Sequence, residues 1–502
     1  MKTGTPSPGL GPVSDAEADR PNPGDRVILG SSPRIEAVLG LAEELRWRVP
    51  PEFHDRCVEE IYGESARIAA RNVVRSGVSS RQTWQRRMDA FLTGRWTGFP
   101  AMIAVLAVAL WITIVGANVP SAAMAGVLVD TLHPALKSGL GQLGMPWWLN
   151  GLLVDGLYLT TAWVVSVMLP PMLIFFPMFT LLEDFGYLPR VAFNLDRLFQ
   201  RAGAHGKQAL TMSMGWGCNA AGVTACRIID SPRERLIAIL TNNFALCNGR
   251  WPTQILIATV FVGSLVAPAL AGVAAAVAVL GVALLGVVLS LGVSWALSRT
   301  LLRGEASAFS LELPPYRPPR FWRTLYTSLI DRTLFVLWRA VLFAAPAGVA
   351  IWCVANITVT GRPLAFWAIA GLEPLGWVMG LSGVILLAYV IAIPANEIVV
   401  PSILMLTVLV TGMTELGQGA GVMFEAGDNV LKKLLVAGGW TPMTAVCLML
   451  FSLCHNPCST TLYTIYKETG SWRWTVWSAL IPMAIGFVLC AGTAAVWRWI
   501  AG

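Results

Sequence analysis

The stretch GFPAMIAVLAVALWITIVGAN, residues 98–118, indicates the fold class because it contains no charged residue. A helix needs roughly 20 apolar residues to cross the hydrocarbon core of a bilayer, and this stretch is long enough. Further apolar stretches follow at 156–182, 253–300, 334–357, 377–412, 438–456 and 474–499. Because 253–300 has room for two spans, we predict an all-α polytopic membrane protein with about eight transmembrane helices.

The composition supports a membrane protein over a soluble one. Of the 502 residues, 55% are hydrophobic and only 13% are charged, whereas soluble domains carry about 25% charged residues. The net charge is +7, but the basic residues lie between apolar spans. We therefore interpret them as topology signals and predict no nucleic-acid partner. The nine cysteines are odd in number and irregularly spaced, so a disulfide framework is not expected.

The order of polar and apolar segments predicts five regions. Residues 1–32 are rich in Pro and Gly and form a disordered tail, and residues 33–95 form a cytosolic helical region. A first membrane half covers 96–300, a polar, basic, Pro-rich cytosolic linker covers 301–333, and a second membrane half covers 334–502. Residues 75–95 contain five Arg against the single acidic residue Asp89. By the positive-inside rule, this excess places the N-terminus in the cytoplasm.

The first half contains a polar break with the sequence GWGCNAAG at 215–222. Gly destabilises a helix interior by about 1 kcal/mol relative to Ala, so three Gly in this segment disfavour a straight helix. Broken backbone at membrane depth is tolerated where protein or a wet cavity satisfies its polar groups. We predict that Cys218 and Asn219 line such a cavity. The alternative is a close helix–helix contact built from small residues.

A second break, PANE at 394–397, lies in the other half. Glu397 stands between two apolar triplets, and a carboxylate at that depth costs about 3 kcal/mol on insertion scales. We predict that Asn396 and Glu397 face an interior pathway, the alternative being a structural ion pair of Glu397 with Arg250 or Arg339. Matching interruptions in two halves are typical of secondary carriers.

Two further motifs place cysteines in apolar surroundings. CHNPC at 454–458 brings two thiols and an imidazole within one short segment, and Cys454 and Cys458 would share one face of a helix. Thiolate and imidazole favour Fe(II), Zn(II) or Cu(I) over Mg(II) or Ca(II). We predict metal contacts at Cys454, His455 and Cys458, with packing and a redox pair as alternatives. CNGRWP at 247–252 is another break, which adds Cys247.

Glu183 and Asp184 end the span at 156–182. Two interpretations stay open: the pair guards a pore mouth, or it is an electrostatic cap on the helix end.

Several enzyme signatures do not occur in this sequence. There is no G-x-x-x-x-G-K-[ST] loop for nucleotide phosphates, no H-E-x-x-H zinc-protease helix and no G-x-S-x-G elbow. Each supplies chemistry through a particular residue spacing, and the chain encodes none of them. We therefore predict no catalytic residue, no bound nucleotide and no enzymatic activity in this chain.

These motifs, taken in order, resemble the membrane region of the bacterial ferrous iron transporter B family. The resemblance covers roughly residues 85–499 and is carried by LEDFGY at 182–187, GWGCN at 215–219, CRIIDSPRER at 226–235, CNGRWP at 247–252, PANE at 394–397, GWTPMTAVC at 439–447, PCSTT at 457–461 and KETGSW at 467–472. It implies two Gate-like halves and import of Fe(II) across the bacterial inner membrane.

The resemblance also implies roles for particular residues. Carried over by position, the metal contacts are Cys218, Cys247 and Cys458, with Glu397 as their acidic neighbour. Members of this family usually begin with a GTPase domain, and nothing in this sequence corresponds to it. The partners left open are a separate GTPase, a small accessory protein and a second copy of the chain, besides the lipid bilayer and Fe²⁺.

Three other functions remain as alternatives. The first is a Gate-type carrier of another solute such as a nucleoside, since one fold serves many functions. The second is a non-transporting membrane subunit that docks a soluble GTPase. The third is a thiol redox enzyme that uses Cys454 and Cys458.

Overall fold

The structure, a computed structural model, describes residues 41, 53–72, 80–94, 96–303, 316, 321–413, 422–424 and 428–501. The chain forms two compact units, Met1–Val74 and Arg75–Gly502. In the first unit the described helix is α1 (Phe53–Asn72). The predicted tail at 1–32 lies outside the described residues, as does most of the predicted linker at 301–333.

The second unit is helical apart from one short hairpin. Its helices are α2 (Ser80–Leu92), α3 (Gly98–Ala125), α4 (His133–Gln142), α5 (Trp147–Asn150), α6 (Leu159–Phe185), α7 (Tyr187–Arg201), α8 (Gln208–Gly217), α9 (Asn219–Ala225), α10 (Pro232–Thr241), α11 (Trp251–Ile257), α12 (Ala271–Arg299), α13 (Phe321–Thr327), α14 (Phe335–Asn356), α15 (Leu364–Met379), α16 (Gly383–Ile391), α17 (Val399–Thr411), α18 (Asp428–Ala437), α19 (Pro442–Cys454), α20 (Ser459–Thr469) and α21 (Trp472–Ala501).

Shorter turns of π- and 3₁₀-helix connect or extend these helices. The π-helical segments are Gly126–Leu132, Gly151–Tyr158, Ala258–Val262 and Ser328–Leu334, and the 3₁₀ turns are Cys226–Ile228, Asn242–Phe244, Gly263–Leu265, Pro268–Leu270 and Asn396–Ile398. Strands β1 (Thr358–Val359) and β2 (Arg362–Pro363) pair antiparallel, with Thr358 opposite Pro363.

Within the described residues, six helices are long and apolar enough to cross a membrane: Gly98–Gln142, Trp147–Phe185, Pro268–Arg299, Phe335–Asn356, Pro442–Thr469 and Trp472–Ile500. A seventh span results if α15 and α16, which meet at 109°, count as one broken span. The polytopic helical class is therefore confirmed. The predicted total of about eight exceeds six or seven, because 253–300 forms one short apolar helix and one long helix rather than two spans.

Pro170 and Pro171 do not interrupt the helix in which they lie. α6 runs without a break from Leu159 to Phe185 and also includes Pro177. A proline in a helix removes one backbone hydrogen bond, and neighbouring helices compensate for this at membrane depth. Both prolines are buried against such neighbours.

Outward faces are apolar, and the polar side chains lie inside. Val277, Leu284 and Val288 on α12 are 63%, 55% and 62% exposed, as expected for a helix that faces lipid. The largest apolar core lies mainly in the second half, around α16, α17 and α19. Buried amides, by contrast, concentrate near the helix breaks, including Asn219, Asn243 and Asn396.

A surface ion pair joins two of the sequence motifs from opposite halves. The Arg227 guanidinium donates two hydrogen bonds to the Glu468 carboxylate, at 2.7 and 2.8 Å. Nearby, the Lys207 ammonium bonds Asp230 at 2.8 Å and lowers the pKa of that carboxyl. Exposed pairs contribute only about 0.2–1 kcal/mol each. The Arg227–Glu468 pair therefore mainly orients the two halves at this surface, and the Lys207–Asp230 pair lies within the first half.

Candidate functional site

The first break occurs where the sequence predicted it. α8 ends at Gly217, Cys218 is extended with φ −151° and ψ 119°, and α9 starts at Asn219. Gly217 allows this close packing, since a Cβ at that position would overlap the Phe175 ring of α6. The break therefore needs glycine for space rather than for a left-handed backbone.

The second break has the same backbone geometry. Ala395 is extended with φ −151° and ψ 122°, within a few degrees of Cys218. It links α16 to the 3₁₀ turn that starts at Asn396. Cys218-Asn219 and Ala395-Asn396 are thus structurally equivalent pairs, although the two sequences share only the asparagine.

Each break is paired with a second chain segment that contributes a cysteine. The backbone N–H of Asn248, the residue after Cys247, donates to the Gly217 carbonyl at 3.0 Å. The backbone N–H of Ser459, the residue after Cys458, donates to the Ile393 carbonyl at 2.9 Å. The two halves therefore repeat one arrangement, in which a thiol-bearing segment is hydrogen-bonded to the carbonyl side of a helix break.

The two arrangements meet at one small cavity of about 30 Å³. Six of the predicted site residues line it: Cys218, Asn219, Cys247, Asn396, Glu397 and Cys458. A volume of this size holds about one or two water molecules. The cavity is therefore suited to a small ligand that has lost most of its hydration shell.

Contacts inside the cavity orient several of its polar groups. The Asn396 Nδ2 lies 3.7 Å from the Cys247 Sγ, and the Asn396 Oδ1 is buried without a hydrogen-bond partner. The Cys458 Sγ and the Thr461 Oγ1 are hydrogen-bonded at 3.2 Å. Glu397 packs against Gly249, where a Cβ would overlap its carboxylate. Thiol, amide oxygen and carboxylate groups therefore all reach this space.

No three His, Cys, Asp or Glu side chains within the described ranges are close enough together to form a ready-made metal site. The cavity groups thus surround a space without forming a closed cage. An ion bound there would complete its coordination with amide and carbonyl oxygens or with water.

Cys454 and His455 lie outside the residues that line the cavity. Cys454 ends α19 and packs against Gly486 of α21. The His455 ring packs between Tyr389, at 4.6 Å, and Phe451, at 5.6 Å, measured between ring centroids. The segment after α19 is extended at His455, so Cys454 and Cys458 do not occupy one helical face as the spacing suggested.

Arg250 holds the two halves together beside the cavity. It is 2% exposed, and its guanidinium donates to the carbonyls of Asn243, Leu453, His455 and Asn456 at 2.9–3.2 Å. The ion pair of Arg250 or Arg339 with Glu397 does not form among the described residues, since Arg250 is committed to carbonyls and Arg339 bonds Thr464. The sequence identified Arg250 as needing a partner but did not indicate this role.

Glu183 and Asp184 lie at the exposed C-terminal end of α6, which Gly186 terminates with φ 88°. They are not among the residues that line the cavity.

Other lining residues were not predicted. Met168 and Met172 of α6 and Thr460 of α20 face the same space. The only sequence signal for the methionines is their i,i+4 spacing beside the double proline, which alone indicates packing rather than ligation.

Comparisons with known proteins support the resemblance that the motifs suggested. Residues 165–261 match the Gate family, described as "Nucleoside recognition", and residues 279–331 match the family described as "Ferrous iron transport protein B C terminus". No solved structure matches the chain significantly.

Similar proteins include Fe(2+) transporter FeoB of Staphylococcus aureus (strain MSSA476), which is 27% identical over 91% of this chain and 65% of its own length. Fe(2+) transporter FeoB of Methanocaldococcus jannaschii is 27% identical over 90% of the chain and 62% of its length. A Porphyromonas gingivalis relative, named Fe(2+) transport protein A/Fe(2+) transporter FeoB fusion protein, is 25% identical over 84% of the chain and 52% of its length.

This chain thus covers less than two thirds of the length of these relatives. The part it does cover contains the Gate match, the C-terminal-domain match and the helical spans. By these matches the chain is similar to Fe(2+) transporter FeoB proteins over a part that contains a Gate segment and a ferrous iron transport protein B C-terminal segment.

Proposed function

We propose that this chain moves Fe(II) across a bacterial cytoplasmic membrane and that the ion passes through the cavity between the two breaks. The single observation that supports this most strongly is the lining of that cavity. Cys218, Cys247 and Cys458 come from three separate segments, yet they share one small space with Glu397.

The mixed donor set suits a transported ion. Thiolates favour soft and borderline metals such as Fe(II), whereas carboxylates and carbonyls alone favour Mg(II), Ca(II) and Mn(II). Transport also requires a site that strips water from the ion and then releases it. Three thiols, three amides and one carboxylate that do not close into a cage meet both requirements.

The rival functions fit the geometry less well. Pockets for drug-sized organic ligands measure about 300–1,000 Å³, so a space of about 30 Å³ is far too small for a nucleoside. A subunit that only docks a partner has no use for thiols around an interior cavity. A redox pair of Cys454 and Cys458 is disfavoured because Cys458 faces Cys218 and Cys247 in the cavity, and Cys454 does not.

Orientation and partners are part of the proposal. The five Arg at 75–95 favour a cytoplasmic N-terminus. A GTPase acting on this chain would be a separate domain or protein, because these residues contain no P-loop motif. The Porphyromonas gingivalis relative is named as a fusion with Fe(2+) transport protein A, which favours a small accessory partner of that kind here.

The test is the initial rate of radioactive Fe(II) uptake, under reducing conditions, in bacteria that lack other iron importers. Cys218→Ser, Cys458→Ser and Glu397→Gln should each lower the rate at least about tenfold, because even groups that only support metal ligands contribute about 10- to 100-fold. Membrane levels of each variant are measured alongside.

Two matched controls decide the outcome. Cys353→Ser changes a half-buried thiol outside the cavity, and Cys454→Ala changes the thiol next to the site that does not line it. Both should retain uptake within about twofold of the parent, since neither group would contact the ion. Parental rates in Cys218→Ser and Glu397→Gln would refute the proposed site.

A further inference from the structure

A second, larger cavity of about 400 Å³ lies beside the first. Its walls are formed by α3, α6, α11 and the chain segments directly before and after α11. The polar residues in its lining are Asn118, Ser121, Asn248 and Thr259, and the lining contains no Asp, Glu, Lys or Arg. It is therefore a neutral space with hydroxyl and amide groups at several points.

Asn248 lines both cavities and is the only residue common to their linings. Its backbone N–H is held by the Gly217 carbonyl at 3.0 Å, which fixes the residue against the first break. Within the described residues its side-chain amide takes no hydrogen bond. The half-buried Asn248 side chain therefore lies at the boundary between the two cavities, with its N–H donors and its oxygen acceptor unpaired in the part of the chain that the structure describes.

The larger cavity contacts two long helices near the middle of each. α3 continues through a π-helical turn into α4, so Gly98–Gln142 is one continuous helix, and the cavity contacts it at Ala117, Asn118 and Ser121. On α6 the contacts are Val167 and Pro171, near the middle of the span Trp147–Phe185. Met168 and Met172 line the smaller cavity, so the two cavities lie at the same level along α6.

The two volumes differ in how much water they admit. Each water in the liquid occupies about 30 Å³, so a shell of six waters needs roughly 180 Å³. The larger cavity, about 400 Å³, accommodates an ion with that shell, and the smaller one, about 30 Å³, does not. An ion that moves from one to the other must lose most of its water at Asn248.

We infer that the larger cavity is an antechamber for a hydrated divalent cation, and that Asn248 is the positioning residue at which water is exchanged for protein ligands. This inference rests on the proposed function and adds a route to it. Amide and hydroxyl groups can hydrogen-bond the waters around a cation without replacing them, and a neutral lining does not trap the ion.

Charge substitutions at Asn118 test the route. Asn118 already places a polar side chain in the lining, so either charge has water to face if the cavity is hydrated. Asn118→Asp should raise the initial rate of Fe(II) uptake at sub-saturating metal by roughly threefold, and Asn118→Lys should lower it by a similar factor, because a charge in the lining changes the local cation concentration. Ser138→Asp and Ser138→Lys are the controls, since Ser138 is exposed, is already polar and does not line the cavity.

A second variant addresses the boundary itself. Asn248→Ala should lower uptake about tenfold while Fe(II) bound by the detergent-purified protein at equilibrium changes less than about twofold, because a group that only assists dehydration acts on rate. A matching loss of equilibrium binding would instead make Asn248 part of the binding site and overturn its assignment to dehydration.

The outcomes separate the two proposals. A parent that neither binds nor takes up Fe(II) overturns the proposed function. A parent that transports Fe(II), with Asn118→Asp and Asn118→Lys indistinguishable from each other or matched by the Ser138 pair, overturns the antechamber alone. That second result is expected if lipid fills the cavity.

Discussion

The two helix breaks have nearly the same backbone but different chemistry. Cys218 and Ala395 have φ and ψ within a few degrees of each other, and each precedes an asparagine. The first break adds a thiol to the cavity, and the second adds the Glu397 carboxylate one residue after its asparagine. The two breaks themselves thus present one soft donor and one hard donor on the same backbone framework, which suits a borderline ion better than two identical breaks would.

The two cysteine segments that are hydrogen-bonded to the breaks also have similar backbone contacts but different side chains. Cys247 and Cys458 occupy equivalent places, one residue before the N–H that bonds the break. Three residues further on, the first half has Arg250 and the second has Thr461. Arg250 reaches across to the carbonyls of the second half, whereas Thr461 bonds Cys458 within its own segment. Of these two equivalent positions, only the one in the first half reaches across to the other half.

The largest expected effect follows from this asymmetry. Arg250→Met removes the donors for four buried carbonyls, and hydrogen bonds to charged groups contribute about 1.5–3 kcal/mol each. We expect little folded protein, measured as monodisperse protein in size-exclusion chromatography after membrane extraction. Arg250→Lys should recover only part of the yield of folded protein, because an ammonium group cannot donate in the forked geometry of a guanidinium.

Arg339→Lys is the matched control. Arg339 has one long hydrogen bond, 3.5 Å to Thr464, and lies over the Tyr463 ring, so this exchange should leave the yield near the parental level. Equal yields for Arg250→Met and Arg339→Lys would show that the halves are held together elsewhere.

An intermediate effect is expected at the contact between Gly249 of the first half and Glu397 of the second. In Gly249→Ala the new methyl overlaps the Glu397 carboxylate and should displace it from the cavity. Since overpacking costs about 1–3 kcal/mol, the protein should still fold, but Fe(II) uptake should fall about tenfold. Gly139→Ala, with nothing within 4 Å of the added methyl, is the control. Unchanged uptake in Gly249→Ala would mean that the position of Glu397 is not critical.

The smallest effect is expected when the thiol of Cys218 is moved to the equivalent position in the other break, Ala395. Cys218→Ala should abolish most uptake, and adding Ala395→Cys should restore part of it, about threefold, because the new sulfur faces the same cavity at some cost in packing. The measurement is Fe(II) uptake normalised to membrane level. Ala220→Cys, also in the cavity lining but not at the equivalent backbone position, is the comparison. Equal rescue by both would show that the equivalence of the breaks has no functional meaning.

The sequence predicted well what depends on local composition. Charge-free runs such as 98–118 are confirmed as helices, and GWGCN and PANE are confirmed as breaks. Predictions of where one helix ends and the next begins were less accurate. The stretch 253–300 was expected to form two spans but forms one long helix and one short apolar helix, since hydrophobicity does not specify where an apolar run turns.

The cavity itself depended on long-range packing. The sequence selected eight site residues from their chemistry, and the structure gathers six of them around one space. Cys454 and His455 were included because a thiol and an imidazole lie in one short segment with Cys458, but the chain becomes extended after α19. Asn248 and the methionines of α6 were omitted because an asparagine or methionine in an apolar run carries no signal of what lies opposite.

The sequence by itself determined that this protein is a helical membrane protein with polar breaks in both halves, because an uncharged run of about 20 residues and a buried carboxylate each have few physical solutions in a bilayer. Only the tertiary structure decided which thiols share a cavity, that Arg250 joins the halves, and that a larger cavity adjoins the first at Asn248. These features bring together residues up to about two hundred positions apart, and such pairs are set by packing rather than by any local pattern.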